Sequence, residues 1–178
     1  MARVRDGEIE ELGVLYGRHR GPLFRFFVRL TGSHALSEDL VHDVFLRMLK
    51  YRRSFEKGKV FRTWMYQVAR HARIDSWRKR QGEISLEGAG AQSCESLPSP
   101  ESSPDLSLRQ QQELNLLQRA LGELPLESRE VLVLARFQGL KYEEIARVLD
   151  CSVSAVKMRV HRALKEVKDQ FMRLSKET

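Results

Sequence analysis

An all-α fold, with two small helical domains joined by a flexible acidic linker, is what this sequence of 178 residues predicts. Three observations lead there. Apolar residues recur at helical spacing through most of the chain, and nothing before Gly82 alternates as a strand would. From Gly82 to Ser107 the composition turns to Ser, Gly and Pro, with five acids and neither Lys nor Arg, as suits a solvated tether. Near the C-terminal end, Tyr142 to Lys165 reads as two short helices across a tight turn. The expected units are 1–81, 82–107 and 108–178, the last containing a helix-turn-helix.

From about Glu8 to Thr31, Ile9, Leu12, Leu15, Leu23, Phe26, Phe27 and Leu30 fall at helical intervals. Gly32 closes the segment as a C-terminal cap, and Gly21 with Pro22 marks a candidate interruption. A second helix, about Ala35 to Tyr51, buries Leu36, Leu40, Val44, Phe45, Met48 and Leu49. It turns Glu38, Asp39, His42, Asp43, Arg47 and Lys50 outward. That outer face is acidic early and basic late, which suits the helix dipole with or without a docking partner. In the third helix, Phe61 to Gln81, Phe61, Trp64, Met65, Val68 and Ala72 form a stripe. Arg62, Arg70, Arg73, Arg78, Lys79 and Arg80 meet the single acid Asp75. Interleaved aromatic and basic residues suit single-stranded nucleic acid, because unstacked bases need flat partners and phosphates need cations. Phe61 and Trp64, being on the stripe, read first as core, so the arginines are the stronger candidates.

Beyond the linker, Leu114, Leu117, Leu121 and Leu124 mark a helix stopped by Pro125. Val131, Leu132, Leu134 and Ala135 mark another from about Glu127 to Phe137, ended by Gly139. Ile145, Ala146 and Leu149 then form the inner side of the next helix. After a break at Asp150, Cys151 and Ser152, the pattern resumes with Val153, Val156, Val160, Ala163, Leu164 and Val167. Ser152 is the natural N-cap. This arrangement leaves Ser154, Ala155, Met158, His161, Arg162 and Lys165 facing outward, flanked by Lys157 and Arg159, with no acid among them. A recognition helix needs that division, with short or hydrogen-bonding side chains toward base edges and cations toward phosphates. Taken alone, the segment also fits an ordinary helical pair with a solvated basic face.

A net charge of +7 calls for an acidic partner, either nucleic acid or an anionic membrane surface. The basic residues lie in two separated regions and not along one amphipathic helix, which disfavours the membrane. No apolar run approaches membrane-spanning length and the N-terminus has no apolar signal region, so a cytoplasmic location without membrane insertion is expected. Cys94 and Cys151 show no metal-ligand spacing, the five histidines show none either, and no phosphate-loop or nucleophile motif is present. Neither an enzyme, a cofactor nor a metal is expected.

Four stretches together resemble a bacterial RNA polymerase sigma factor of the extracytoplasmic-function (ECF) group of the sigma-70 family. They are LTGSHALSEDLVHDVFLRML (Leu30 to Leu49), FRTWMYQVARHARIDSWRKR (Phe61 to Arg80), LPLESREVLVLARFQGLKYEEIA (Leu124 to Ala146) and VKMRVHRAL (Val156 to Leu164). The resemblance implies a promoter-specificity subunit whose partners are core RNA polymerase, promoter DNA and, in many relatives, an anti-sigma factor. It places Glu38, Asp39, Val41, His42, Val44 and Phe45 in the helix that docks on the polymerase. It places Arg62, Trp64, Arg70, His71, Arg73, Arg78, Lys79 and Arg80 at the downstream promoter element, where strand opening captures unstacked bases. It places Lys157, Met158, His161 and Arg162 in the major groove of the upstream element, with Ser154, Arg159 and Lys165 on the same face. His42 stands where the family usually has Gln, His71 where an Asn commonly sits, Lys141 where Ser or Thr usually caps, and Ala155 where Thr is frequent. An imidazole offers different donors and acceptors from a carboxamide, so the preferred base is open. The linker acids are a candidate imitation of a nucleic-acid backbone. A response-regulator output domain would resemble the second half alone and would require strands before Gly82.

Overall fold

A computed structural model describes residues 1–87 and 108–176, and every regular element among them is helical. Residues 88–107 lie outside the described residues, and with them most of the expected linker and the nucleic-acid imitation read into its acids.

A short helix α1 (Ala2–Arg5) precedes α2 (Glu11–Thr31). The candidate interruption at Gly21 and Pro22 does not occur, since α2 runs through both. An interior proline costs about 3 kcal/mol. Leu23, Phe26, Phe27 and Leu30, all buried just beyond it, each contribute about 1.5–3 kcal/mol, so packing prevails. Gly32 ends α2 in the left-handed region at φ 72°, its N–H donating to the Val28 carbonyl. Helix α3 (His34–Lys50) starts on Ser33, whose Oγ accepts the Leu36 N–H at 3.3 Å.

Helix α4 (Phe61–Glu87) extends past the Gln81 end expected from the pattern, because one glycine at position 82 costs only about 1 kcal/mol. In the second half, α5 (Leu108–Gly122) is followed by α6 (Leu126–Leu132). The helix expected to run to Phe137 widens into a π turn over Val133–Phe137, and the Gln138 N–H reaches back to the Val133 carbonyl at 2.9 Å. Gly139 at φ 62° then redirects the chain into α7 (Tyr142–Leu149). Asp150, left-handed at φ 52°, makes the tight turn into α8 (Val153–Leu174).

The two helical units share one core. Leu23, Phe26, Met65 and Tyr66 of the first half belong to the same apolar cluster as Val131, Leu134, Ile145 and Val160 of the second. Helix α4 packs on α7, while α2 packs on α5, α6 and the π turn. The all-α fold of two small helical units is as the pattern predicts, and the two units pack on each other.

Candidate nucleic-acid interface

The turn before α8 is built as the sequence indicates. Ser152 Oγ accepts the Ala155 N–H at 3.1 Å, which orients the first turn of α8. Val156, Val160 and Ala163 are buried, and Ser154, Lys157, Met158, Arg159, His161, Arg162 and Lys165 are all exposed, Met158 at 62%. Leu164 is the exception to the apolar stripe. It lies a full 100° step past Ala163 and is 37% exposed. Among the described residues, none of Lys157, Arg159, Arg162 and Lys165 forms an ion pair. Lys141, which offers no acceptor to cap α7, is compensated by Glu144, whose carboxylate accepts the Lys141 N–H at 2.8 Å.

The candidate residues of α4 divide into two groups. His71, Arg78 and Lys79 are exposed and Arg80 is half-buried. Trp64 is half-buried, as its place on the stripe suggests. Its Nε1 donates to Ser54 Oγ at 3.3 Å, and its ring meets Phe55 edge-on at 5.5 Å. Arg62, Arg70 and Arg73 turn instead to the second half of the chain. Arg62 donates to the Gln138 carbonyl. Arg73 Nη2 lies 3.2 Å and Arg70 Nε 3.5 Å from the carboxylate of Glu130, a residue only 3% exposed. Alongside them, the Tyr66 hydroxyl donates to Gln138 Oε1 at 2.6 Å, and burial pushes its phenol up to about 12. Gln67 Nε2 donates to the Arg147 carbonyl at 2.8 Å. Asp75, the one acid of the basic stretch, is neutralised by Arg47 of α3.

Trp77 was missed by reasoning from the stripe. It is 56% exposed and, with Arg73 and Arg80, lines a cavity of about 290 Å³. Its position off the Phe61–Ala72 stripe is the signal that could have found it.

On α3, Val41, Val44 and Phe45 are mostly buried, and Val41 lines the groove formed with α2. Glu38, Asp39 and His42 are the exposed members of that set. They border a groove of about 540 Å³ whose other wall is Tyr16, Arg20 and Phe24 of α2.

Known proteins align with both halves. The family description Sigma-70 region 2 matches residues 15–83, and Sigma-70, region 4 matches residues 114–167. The chain is similar to the ECF RNA polymerase sigma factor EcfG of Rhodopseudomonas palustris, with 30% identity over 139 residues, 78% of this chain and 72% of that protein. It is also similar to the ECF RNA polymerase sigma factor SigE of Mycolicibacterium smegmatis, 29% identical over 164 residues, 92% of this chain and 63% of that protein. In fold it is similar to the sigma factor RpoE of Bartonella quintana, solved in complex with the anti-sigma factor NepR. The TM-score is 0.77 at 24% identity, covering 92% of this chain and 98% of that one. With both family regions in the expected order and ECF sigma factors among its relatives, the chain belongs to the sigma-70 family of RNA polymerase sigma factors, in its ECF group.

Proposed function

We propose that the chain docks on core RNA polymerase and directs it to promoters in the cytoplasm, reading the upstream element with α8 and opening the downstream element with α4. The observation that carries this reading is the outward face of α8. Seven polar, basic or flexible side chains stand exposed behind a capped turn, with no acid among them. Lys157, Met158, His161 and Arg162 meet base edges, while Ser154, Arg159 and Lys165 reach phosphates. Glu38, Asp39 and His42 form the polymerase contact, and the same groove is available to an anti-sigma partner.

On α4, Arg78, Lys79 and Arg80 supply phosphate contacts, and His71 with Trp64 borders the captured base. Taking bases out of the stack costs a few kcal/mol each, so melting needs compensating single-strand contacts. Arg62, Arg70 and Arg73 join these contacts only after the second half leaves α4. Separation of the two halves is therefore a step between the free chain and the promoter complex, with the energy supplied by polymerase binding. Among the described residues no helix is long and apolar enough to cross a membrane.

Purified chain added to bacterial core polymerase on a genomic template pool is expected to yield transcripts from a defined set of start sites. Transcription no different from that of core enzyme alone would remove the reading. Within it, Arg162→Ala should weaken upstream-element binding by about 1–3 kcal/mol while leaving random duplex nearly unaffected. Equal losses on both would reassign Arg162 to phosphate.

A further inference from the structure

On α2, Arg18, Pro22, Arg25 and Arg29 follow at steps of three or four residues and share one face. Arg62 of α4 stands across from them, and Phe137 and Gln138 of the second half close the remaining side. Together they line a partly open cavity of about 340 Å³ whose lining contains no carboxylate. Five arginines among the described residues are matched with acids, Arg3 with Glu8 and Glu11, Arg47 with Asp43 and Asp75, Arg70 and Arg73 with Glu130, and Arg173 with Glu123, whereas others, such as Arg159 and Arg162, stand unpaired on the exposed surface. Among the described residues, Arg18, Arg25, Arg29 and Arg62 have no such match.

Arg29 makes the point most clearly. It is half-buried, its guanidinium lies 4.4 Å from the centre of the Phe137 ring, and its hydrogen bond goes to the Arg25 carbonyl at 3.1 Å. Burial and the Arg25 charge together push its guanidinium down. His19, on the same wall, is pushed down by burial, then by Arg62, Arg18 and the N-terminal amino group. A partly desolvated cation among like charges is costly unless an anion joins it. The fork of a guanidinium matches a phosphate bidentately, and several guanidiniums favour a multiply charged anion over a single carboxylate. The space has room for a phosphate-bearing group with part of its hydration.

We propose that this cavity binds a phosphate-bearing anion that bridges the two halves of the chain and holds them closed. The ligand touches α2 and α4 from one half and the segment at Phe137 and Gln138 from the other, so its affinity adds to the stability of the closed arrangement. A soluble phosphorylated compound and a nucleic-acid backbone both offer this chemistry.

The test is calorimetric titration of the full chain with inorganic pyrophosphate, paired with thermal unfolding at constant ionic strength. Saturable binding is expected, with Tm raised by about 7 °C at a hundredfold excess over Kd. The variant Arg18→Gln/Arg25→Gln, which changes two exposed side chains, should bind at least tenfold more weakly. The charge-matched control Lys168→Gln/Lys176→Gln should bind as the parent does. Competition then separates the sources. Displacement of pyrophosphate by a nucleoside triphosphate but not by a single-stranded oligonucleotide supports a soluble ligand, and displacement by the oligonucleotide supports a backbone. A Tm response matched by sodium chloride, or equal loss of binding in the two double variants, would overturn the proposal. These readouts need neither polymerase nor promoter, so they succeed or fail separately from the transcription assay.

Discussion

Replacing Glu130 with glutamine is expected to open the molecule. Among the described residues, the carboxylate is the one anion that Arg70 and Arg73 share, and the side chains around it are mostly buried. Removing one partner of a buried ion pair leaves the other charges without compensation, typically at about 3–5 kcal/mol. The 29% exposure of the Arg70 side chain allows water to recover part of that, which puts the expected cost nearer about 3 kcal/mol. Glutamine preserves the shape, so the effect isolates charge from packing. Small-angle scattering should report a larger radius of gyration for Glu130→Gln, and amide exchange on α4 should accelerate. Under the proposed function, the variant should also bind single-stranded downstream-element DNA more tightly than the parent chain. An unchanged radius and an unchanged exchange pattern would show that apolar packing alone holds the halves together.

Arg129→Ala should have the largest effect on stability. This buried guanidinium donates to the carbonyls of Leu30 and Leu124, each at 3.1 Å, and to that of Gly122. It thereby ties the end of α2 to the loop between α5 and α6, across the two halves. Three acceptors lose their donor in the alanine variant, at about 1–3 kcal/mol for each group left buried and unsatisfied. A loss of about 4 kcal/mol in urea unfolding is expected, allowing for water entry. Arg129→Lys should restore only a fraction, because an ammonium cannot reproduce the planar fork. A loss below about 1 kcal/mol for alanine would mean that these carbonyls find other donors.

Helical spacing was enough to read most of this architecture. The stripe on α8 and the Ser152 cap were legible because both depend on neighbours within one turn. Trp64 was legible as partly core for the same reason. What the pattern could not disclose depends on pairs far apart in the chain. Glu130 lies 57 residues from Arg73, and nothing local distinguishes it from a solvated helix acid. Arg129 beside it is equally inconspicuous, yet both are buried. Pro22 left the continuity of α2 open because its local cost is visible in sequence while the packing that outweighs it is not. The downstream candidates form a single basic cluster in the sequence. Sequence alone could not divide the exposed Arg78 from Arg73, because that division is made by the second half of the chain.

The hydrogen bond from Tyr66 to Gln138 has a consequence for how such a chain can diverge. Tyr66 lies on the same helix as the residues assigned to promoter opening, one turn from Arg62 and from Arg70. Under the proposed function, a substitution on this helix that retunes base preference would also alter the fit of the two halves, so selection would act on one surface for two states at once. Lineages that change their downstream element should therefore carry paired changes at Glu130 or Gln138, and the covariation of those positions with α4 would record how long the resting contact has been maintained.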